Sequence, residues 1–210
     1  QEMLNDNNED NNDKIKDIWL ISMDKKISNY ISSLKFGLWF DYFMLIPTLA
    51  FSTIGTPTLW IIFGLYHKTL QFCVSSIMVL LLSLIVKKSF SRKRPCHLPV
   101  RLYNEYIKKI KNNKCSIDYL ISFLMGFHEN KPGFPSGDTA QGSLFAIYLG
   151  QYNVLGFSIL KWYIIIVPIS LFGRIYFKKH WFGDCIIGAL LGIFVGFGIE
   201  FLNDNIINLK

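Results

Sequence analysis

The sequence lacks the cysteine and histidine arrangements that bind zinc. Its four cysteines form no CxxC pair, and none stands at metal-ligand spacing from the four histidines, which argues against a zinc site. It also lacks a basic face on a soluble segment, because its lysines and arginines cluster beside apolar stretches. The net charge of +7 therefore indicates a membrane surface or an anionic lipid as partner, and no nucleic acid.

Apolar residues, in contrast, are abundant. Of 210 residues, 51% are hydrophobic and 16% aromatic, which is more apolar surface than a soluble core of this size needs. Residues 1–14 are polar, acidic and rich in asparagine, and no apolar stretch like the core of a signal peptide follows them. We expect this segment to be a disordered tail.

Several stretches approach the length of about 20 apolar residues that crosses a bilayer. They predict an all-α, polytopic membrane helix bundle of about six transmembrane helices. The candidate spans are Phe36–Thr53, Thr56–Tyr66, Leu70–Val86, Thr139–Val154, Phe157–Phe172 and Cys185–Leu202. Ile117–Phe127 is too short to span and is interpreted as a re-entrant or interfacial piece; if it does cross, the orientation of every later span inverts.

Ahead of the first span, apolar residues recur every three or four positions. They are Ile15, Trp19, Met23, Ile27, Tyr30 and Leu34. This spacing predicts an amphipathic helix, which either lies on the membrane interface or packs on protein. We therefore divide the chain into residues 1–35, the tail with its interfacial helix, and residues 36–210, the membrane domain.

The last span carries a stripe of residues four apart. His180, Asp184, Gly188, Gly192 and Gly196 fall on roughly one helix face. The glycines form two overlapping GxxxG steps, which allow close helix approach in lipid. We expect His180 and Asp184 to continue this packed face beneath the loops.

Three short blocks at the ends of apolar segments carry residues suited to phosphate chemistry. Lys87, Arg94 and Arg174 would bind a phosphoryl group and stabilise its charge if they converged. Other cations stand beside them and receive no role from the sequence: Lys88, Arg92, Lys93, Lys178 and Lys179.

Two further pairs supply an anion cradle and a nucleophile. Ser136 and Gly137 stand where the fourth helix should begin, so its backbone N–H groups and the serine hydroxyl could hold an anion. His180 and Asp184 are four residues apart and would meet on a helix. A carboxylate bonded to one imidazole nitrogen leaves the other free to attack.

Together these blocks resemble the type 2 phosphatidic acid phosphatase (PAP2) superfamily, which includes vanadium haloperoxidases. The family pattern is K-x6-RP, then PSGH, then SR-x5-H-x3-D. Lys87, Arg94 and Pro95 match the first block and Pro135-Ser136-Gly137 the second, while the third is matched by Arg174, His180 and Asp184 at the family spacing. The resemblance covers roughly residues 36–202.

The resemblance implies a membrane phosphatase without metal or other cofactor. His180 would attack phosphorus and form a phosphohistidine, with Asp184 orienting it. The phosphoryl oxygens would be held by Lys87, Arg94, Ser136, Gly137 and Arg174. The expected substrate is a lipid phosphate or a lipid (isoprenyl-type) diphosphate at the bilayer surface; the oligomeric state is not indicated.

Two positions depart from the family pattern. Gly173 replaces a serine, at the expected loss of one hydrogen bond, and Asp138 replaces the histidine that donates a proton to the leaving group. Among cations Asp138 should stay ionised. Three explanations remain open: a diphosphate substrate needs little acid and Asp138 serves as a base for water, His128 or His97 supplies the proton, or the site binds without turnover.

Orientation follows from the count of spans. With six spans, the connections 87–134 and 174–180 share one face. Positive charge favours a cytosolic position for that face, whereas members of the resembled family often face a lumen. We assign an endoplasmic reticulum or other endomembrane location with a lumenal site, where Cys96 and Cys115 could form a disulfide.

Two other functions compete with the phosphatase. One is a lipid phosphotransferase that passes the group from His180 to an alcohol. The other is a catalytically silent membrane protein that binds phospholipid head groups, suggested by Asp138. The pairing of His180 with Asp184 argues against the silent protein, since binding alone needs no oriented nucleophile.

Overall fold

The structure, a computed structural model, describes residues 21–34, 36–52, 55–62, 69–90, 92, 94–95 and 132–207. Several predictions lie outside these residues. They are the tail over residues 1–14, the short piece Ile117–Phe127, the pair Cys96 and Cys115, and the loop histidines His97 and His128.

The regular structure within the described ranges is helical, with no strand among them. The helices are α1 (residues 21–33), α2 (Leu38–Ala50), α3 (Gly55–Ile62), α4 (Thr69–Ser89), α5 (Gly137–Gln151), α6 (Ile159–Tyr176) and α7 (Phe182–Ile207). A short 3-10 turn at Val154–Gly156 joins α5 to α6. Each of the six predicted spans corresponds to one of α2 to α7, so the predicted all-α bundle is confirmed.

Fewer of these helices are long and apolar enough to cross a membrane than the six predicted. Among the described residues, three segments qualify: Leu70–Ser89, Ile159–Tyr176 and Phe182–Leu202. The α2 and α3 helices qualify only as a pair, bent by 80° at the break between them, which raises the number to four at most. The shortfall arises because α3 has 8 residues and α5 has 15, several of them polar.

The polar α5 helix is the centre of the bundle. It packs between α4, α6 and α7, and its residues from Thr139 to Leu149 are all buried. Its polar groups find partners on neighbouring helices: the Gln141 amide exchanges hydrogen bonds of 2.9 Å with the hydroxyl and carbonyl of Ser76, and the Ser143 hydroxyl donates to the carbonyl of Ala189 at 2.8 Å. A helix enclosed by protein can carry such groups, which is why hydropathy understates it.

The glycine stripe of α7 packs directly on α5. A Cβ atom at Gly188 would lie 2.3 Å from the carbonyl oxygen of Ser136, and one at Gly192 would lie 2.3 Å from the carbonyl oxygen of Ala140. Only a residue without a side chain fits at these positions, as in close helix pairs generally. The contact fixes the beginning of α5 against the beginning of α7.

Helix α1 packs on the protein through a side that carries both polar and apolar residues. Ser28 is buried and Asp24 is partly buried, whereas Met23 and Tyr30 are 38% and 68% exposed. Ile31 packs against the cluster formed by Met44, Tyr176 and Phe177. The helix therefore contacts protein through Asp24, Ser28 and Ile31, and its position on the membrane interface stays a prediction.

The close approach of α5 and α7 predicts unequal costs for glycine substitutions in one helix. Gly188→Ala should lower the free energy of unfolding by roughly 1–3 kcal/mol, because the added methyl group would overlap the backbone of α5, which cannot rotate away. Gly198→Ala is the matched control, since a Cβ there meets nothing within 4 Å. Thermal unfolding of the two variants in detergent tests this; equal melting temperatures would contradict the close contact.

Candidate active site

Four helix ends meet on one side of the bundle. The chain leaves α4 at Ser89 and α6 at Tyr176 on this side, and it enters α5 at Gly137 and α7 at Phe182. Backbone N–H groups at the beginnings of α5 and α7 place partial positive charge here. This is the side where the sequence predicted a phosphate site.

A cavity of about 90 Å³ opens between these ends. Its lining residues are Leu80, Ser83, Leu84, Lys87, Arg94, Gly137, Asp138 and His180. A Cβ atom on Gly137 would lie 3.8 Å from the Ser83 hydroxyl and 3.9 Å from Lys87 Nζ. The absence of a side chain at Gly137 thus lets both groups lie beside the first turn of α5, where an anion would be favoured.

Ser136 is the N-cap residue of α5. Its hydroxyl accepts a hydrogen bond from the Thr139 N–H at 3.3 Å and pairs with the Thr139 hydroxyl at 2.9 Å. The side chain is fully buried. Ser136 therefore shapes the start of the helix, and the cavity is lined instead by Gly137 and Asp138 from the same block.

Arg174 lies behind Asp138 rather than on the cavity wall. Its Nη1 atom is 2.7 Å from Asp138 Oδ2, and its Nη2 atom donates to the Thr48 carbonyl at 2.6 Å. The Arg174 side chain is 2% exposed, and its Nε–H has no hydrogen-bond partner among the described residues. The three predicted cations thus separate into two on the cavity, Lys87 and Arg94, and one that holds the carboxylate facing it.

His180 lies in the loop before α7, not on the helix, because α7 begins at Phe182. The predicted hydrogen bond to Asp184 is not formed: His180 Nδ1 is 3.8 Å from Asp184 Oδ2, beyond hydrogen-bond distance. No other described residue is a hydrogen-bond partner for Nδ1. The helical spacing of four residues therefore overstated the contact.

Asp184 is instead held by other groups. Its Oδ2 atom accepts the Trp181 N–H at 3.0 Å, which is the reciprocal half of a capping box at the start of α7. Its Oδ1 atom accepts from Arg92 Nη1 at 2.9 Å. Its carbonyl accepts the Ser136 N–H at 2.9 Å. Asp184 therefore joins the second and third blocks and contacts a cation of the first.

Burial controls the protonation of His180. The side chain is 3% exposed, and loss of hydration lowers the pKa of His180 to about 4, despite the neighbouring carboxylates of Asp184 and Asp138, which act in the opposite direction. The imidazole is therefore neutral near pH 7. A neutral imidazole has the lone pair that a nucleophile requires.

Lys179 belongs to this site although the sequence gave it no role. It is 6% exposed. Burial lowers the pKa of Lys179 well below its ordinary value; Arg174 and Arg94 lower it further, and Asp138 opposes them. Its position directly before His180 was the available signal, but surface lysines commonly flank helices in the same way.

Thr48 occupies the space left by Gly173. A Cβ atom at Gly173 would lie 2.2 Å from the Thr48 hydroxyl oxygen, so the hydroxyl of α2 stands where a serine side chain of α6 would begin. The Thr48 side chain is buried, and its hydroxyl has no hydrogen-bond partner among the described residues. The sequence could not reveal this replacement, because the two residues lie on different helices far apart in the chain.

Comparison with known proteins identifies the superfamily to which the chain belongs. The PAP2 superfamily model matches residues 68–204, and the chain belongs to that superfamily. The fold is similar to the crystal structure of a transmembrane PAP2-type phosphatidylglycerolphosphate phosphatase from Bacillus subtilis, with a TM-score of 0.64 and 19% identity over 89% of this chain and 87% of that one. No curated protein matches the sequence. The protein is an integral membrane protein of this fold.

The low pKa of His180 gives a direct test of its environment. In nitrogen-15 histidine spectra of the detergent-solubilised protein, the His180 signal, identified by its absence in His180→Gln, should titrate near pH 4. Because the folded state binds fewer protons than the unfolded chain between pH 4 and 6.5, this residue should also make the protein less stable as pH falls through that interval. Titration of His180 near 6.5 would contradict the buried, neutral imidazole.

Proposed function

We propose that this protein hydrolyses a lipid phosphate, and preferentially a lipid diphosphate of the isoprenyl type, through a phosphohistidine at His180. The observation that carries the proposal is the cavity in which Lys87, Arg94 and the neutral imidazole of His180 lie together beside the first turn of α5. Membership of the PAP2 superfamily supports a phosphatase. The phosphatidylglycerolphosphate phosphatase named above supports the same fold in a membrane enzyme.

Phosphate binding would fall to the cations on the cavity wall and to the helix beginning beside them. Lys87 and Arg94 would contact the phosphoryl oxygens, and the N-terminal turn of α5 at Ser136 and Gly137 would add partial positive charge. The buried Arg174 Nε–H, which has no hydrogen-bond partner among the described residues, would be a further donor. The Ser83 hydroxyl, buried on the cavity wall and without a hydrogen-bond partner among the described residues, offers another donor.

The reaction would proceed in two displacements. In the first, a His180 nitrogen forms a bond to phosphorus as the bond to the leaving oxygen breaks, and the leaving group departs with that electron pair. In the second, water attacks the phosphohistidine, inorganic phosphate leaves, and His180 recovers its lone pair. The proton of the attacking water passes to Asp138, whose carboxylate faces the cavity.

The ion pair between Asp138 and Arg174 is the basis for proposing a diphosphate substrate. It favours the ionised form of Asp138, which then has no proton to give to a leaving group. A diphosphate releases a lipid monophosphate whose second pKa is about 6, so it leaves without acid help. A lipid monophosphate must release an alkoxide, which is far more basic.

Phosphate release from a panel of detergent-dispersed lipids tests the proposal. Farnesyl diphosphate should be hydrolysed with a higher kcat/KM than farnesyl monophosphate or phosphatidic acid. His180→Ala should reduce release by more than about 1,000-fold, because the nucleophile is removed. Loss of substrate without release of inorganic phosphate would favour transfer to an alcohol, and binding without loss of substrate would favour the silent protein.

Asp138→His tests whether the lack of a proton donor at position 138 limits hydrolysis of monophosphates. A histidine at this position can donate a proton, so it should raise monophosphate hydrolysis relative to diphosphate hydrolysis by about tenfold or more. A ratio unchanged by Asp138→His would contradict the role given to Asp138. If wild type already hydrolysed both lipids equally, the acid would have to come from elsewhere, and Lys179→Gln would test the buried amine beside Asp138.

A further inference from the structure

Arg92 connects the candidate active site to helix α1. Its two Nη atoms contact different carboxylates: Nη1 donates to Asp184 at 2.9 Å, and Nη2 forms an ion pair with Asp24 of α1. The guanidinium also lies over the Trp181 ring, 5.6 Å from its centroid. Arg92 therefore sits between the helix that precedes the membrane domain and the loop that carries His180.

Helix α1 also satisfies the N-terminal backbone of α7. The Asp24 carboxylate accepts the Gly183 N–H at 2.8 Å, and the Ser28 hydroxyl accepts the Phe182 N–H at 2.9 Å. These are two of the donors that a helix leaves without internal partners in its first turn. Capping is usually local, but here residues more than 150 positions earlier in the chain supply it.

The Arg92 backbone extends the connection to the remaining block. Its carbonyl accepts the Gly133 N–H at 2.8 Å, three residues before Ser136, and the Ser136 N–H donates to the Asp184 carbonyl at 2.9 Å. Arg92, the segment Gly133–Ser136 and Asp184 thus form a closed set of contacts joining all three blocks. A shift of Arg92 would be transmitted to both Asp184 and the start of α5.

We propose that Asp24 and Arg92 are positioning residues that hold Asp184 and the His180 loop in the arrangement needed for catalysis, which makes α1 part of the catalytic apparatus. Asp184 is fully buried, and a buried carboxylate requires a cation and hydrogen bonds. His180 does not supply that cation, because it is neutral and 3.8 Å away. Arg92 supplies it, and Asp24 fixes Arg92 in place.

Kinetic measurements on the protein distinguish positioning from a merely structural contact. This kinetic experiment rests on the proposed function. Asp24→Asn keeps the size of the side chain and an oxygen for the Gly183 N–H, but its amide cannot pair with Arg92. It should lower kcat for farnesyl diphosphate about 100-fold with KM changed less than about twofold, since small misplacements of reacting groups carry costs of this size. Lys25→Ala, an exposed charge on the same helix, is the matched control.

Arg92 variants complete the test. Arg92→Met should lower kcat at least as much as Asp24→Asn, because it also removes the ion pair with Asp184. Adding Asp24→Asn to Arg92→Met should lower kcat no further, because Asp24 acts through Arg92. Arg92→Lys should recover part of the loss. Unchanged kcat in Asp24→Asn, or full additivity of the two variants, would overturn the proposal. A rise in KM with kcat unchanged would also overturn it, since Arg92 would then act on substrate binding.

Hydrogen exchange tests the same connection without activity. In wild type, the backbone of residues 181–184 should be protected, and Asp24→Ala should raise exchange there while residues 189–195 stay protected. Equal exchange in wild type and Asp24→Ala would overturn the proposal. If wild type released no phosphate, the proposed function would fail, and the exchange result would still decide whether α1 holds this loop.

Discussion

The close contact between α5 and α7 is the constraint on which the rest of the structure depends. At Gly188 the backbone of α7 comes so near the Ser136 carbonyl that no side chain fits between them. That approach places Ser136 beside Asp184, where their backbones share a hydrogen bond of 2.9 Å. Because each helix begins near this point, one packing contact brings together the second and third blocks and places the N-terminus of α5 at the cavity.

Charge balance is the second feature that organises the site. Burying a carboxylate or a guanidinium alone is costly, and two arginines of the site lie in contact with carboxylates. Arg174 is paired with Asp138, and Arg92 is shared by Asp184 and Asp24. Lys87 and Arg94 line the cavity itself. These two residues place positive charge on the cavity wall, and Arg174 gives Asp138 a fixed position facing the cavity.

The sequence predicted the helices and the blocks because these depend on local patterns. Hydropathy located all six segments, and the four-residue glycine spacing predicted the face of α7 that packs closely. Hydropathy understated α5, because Gln141 and Gln151 indicated a weak span. Partners on other helices, Ser76 and Glu200, make the same two residues compatible with a helix enclosed by protein.

Contacts between distant segments were less predictable. Spacing suggested that His180 and Asp184 share a helix, but α7 begins two residues after His180. Arg92 could not be distinguished from neighbouring cations, since its importance comes from Asp24 on α1. Likewise, nothing near Gly173 in the sequence indicates that Thr48 fills its space. Each of these depends on which residues tertiary packing brings together.

The stereochemical course at phosphorus tests the central claim, a covalent intermediate at His180, most directly. A lipid diphosphate made chiral at its terminal phosphorus with sulfur and oxygen isotopes would be hydrolysed, and the configuration of the released thiophosphate determined. Each in-line displacement inverts the phosphorus. Two displacements through His180 predict overall retention, and it should hold whether or not the intermediate accumulates. Inversion would show direct attack by water and would contradict the account.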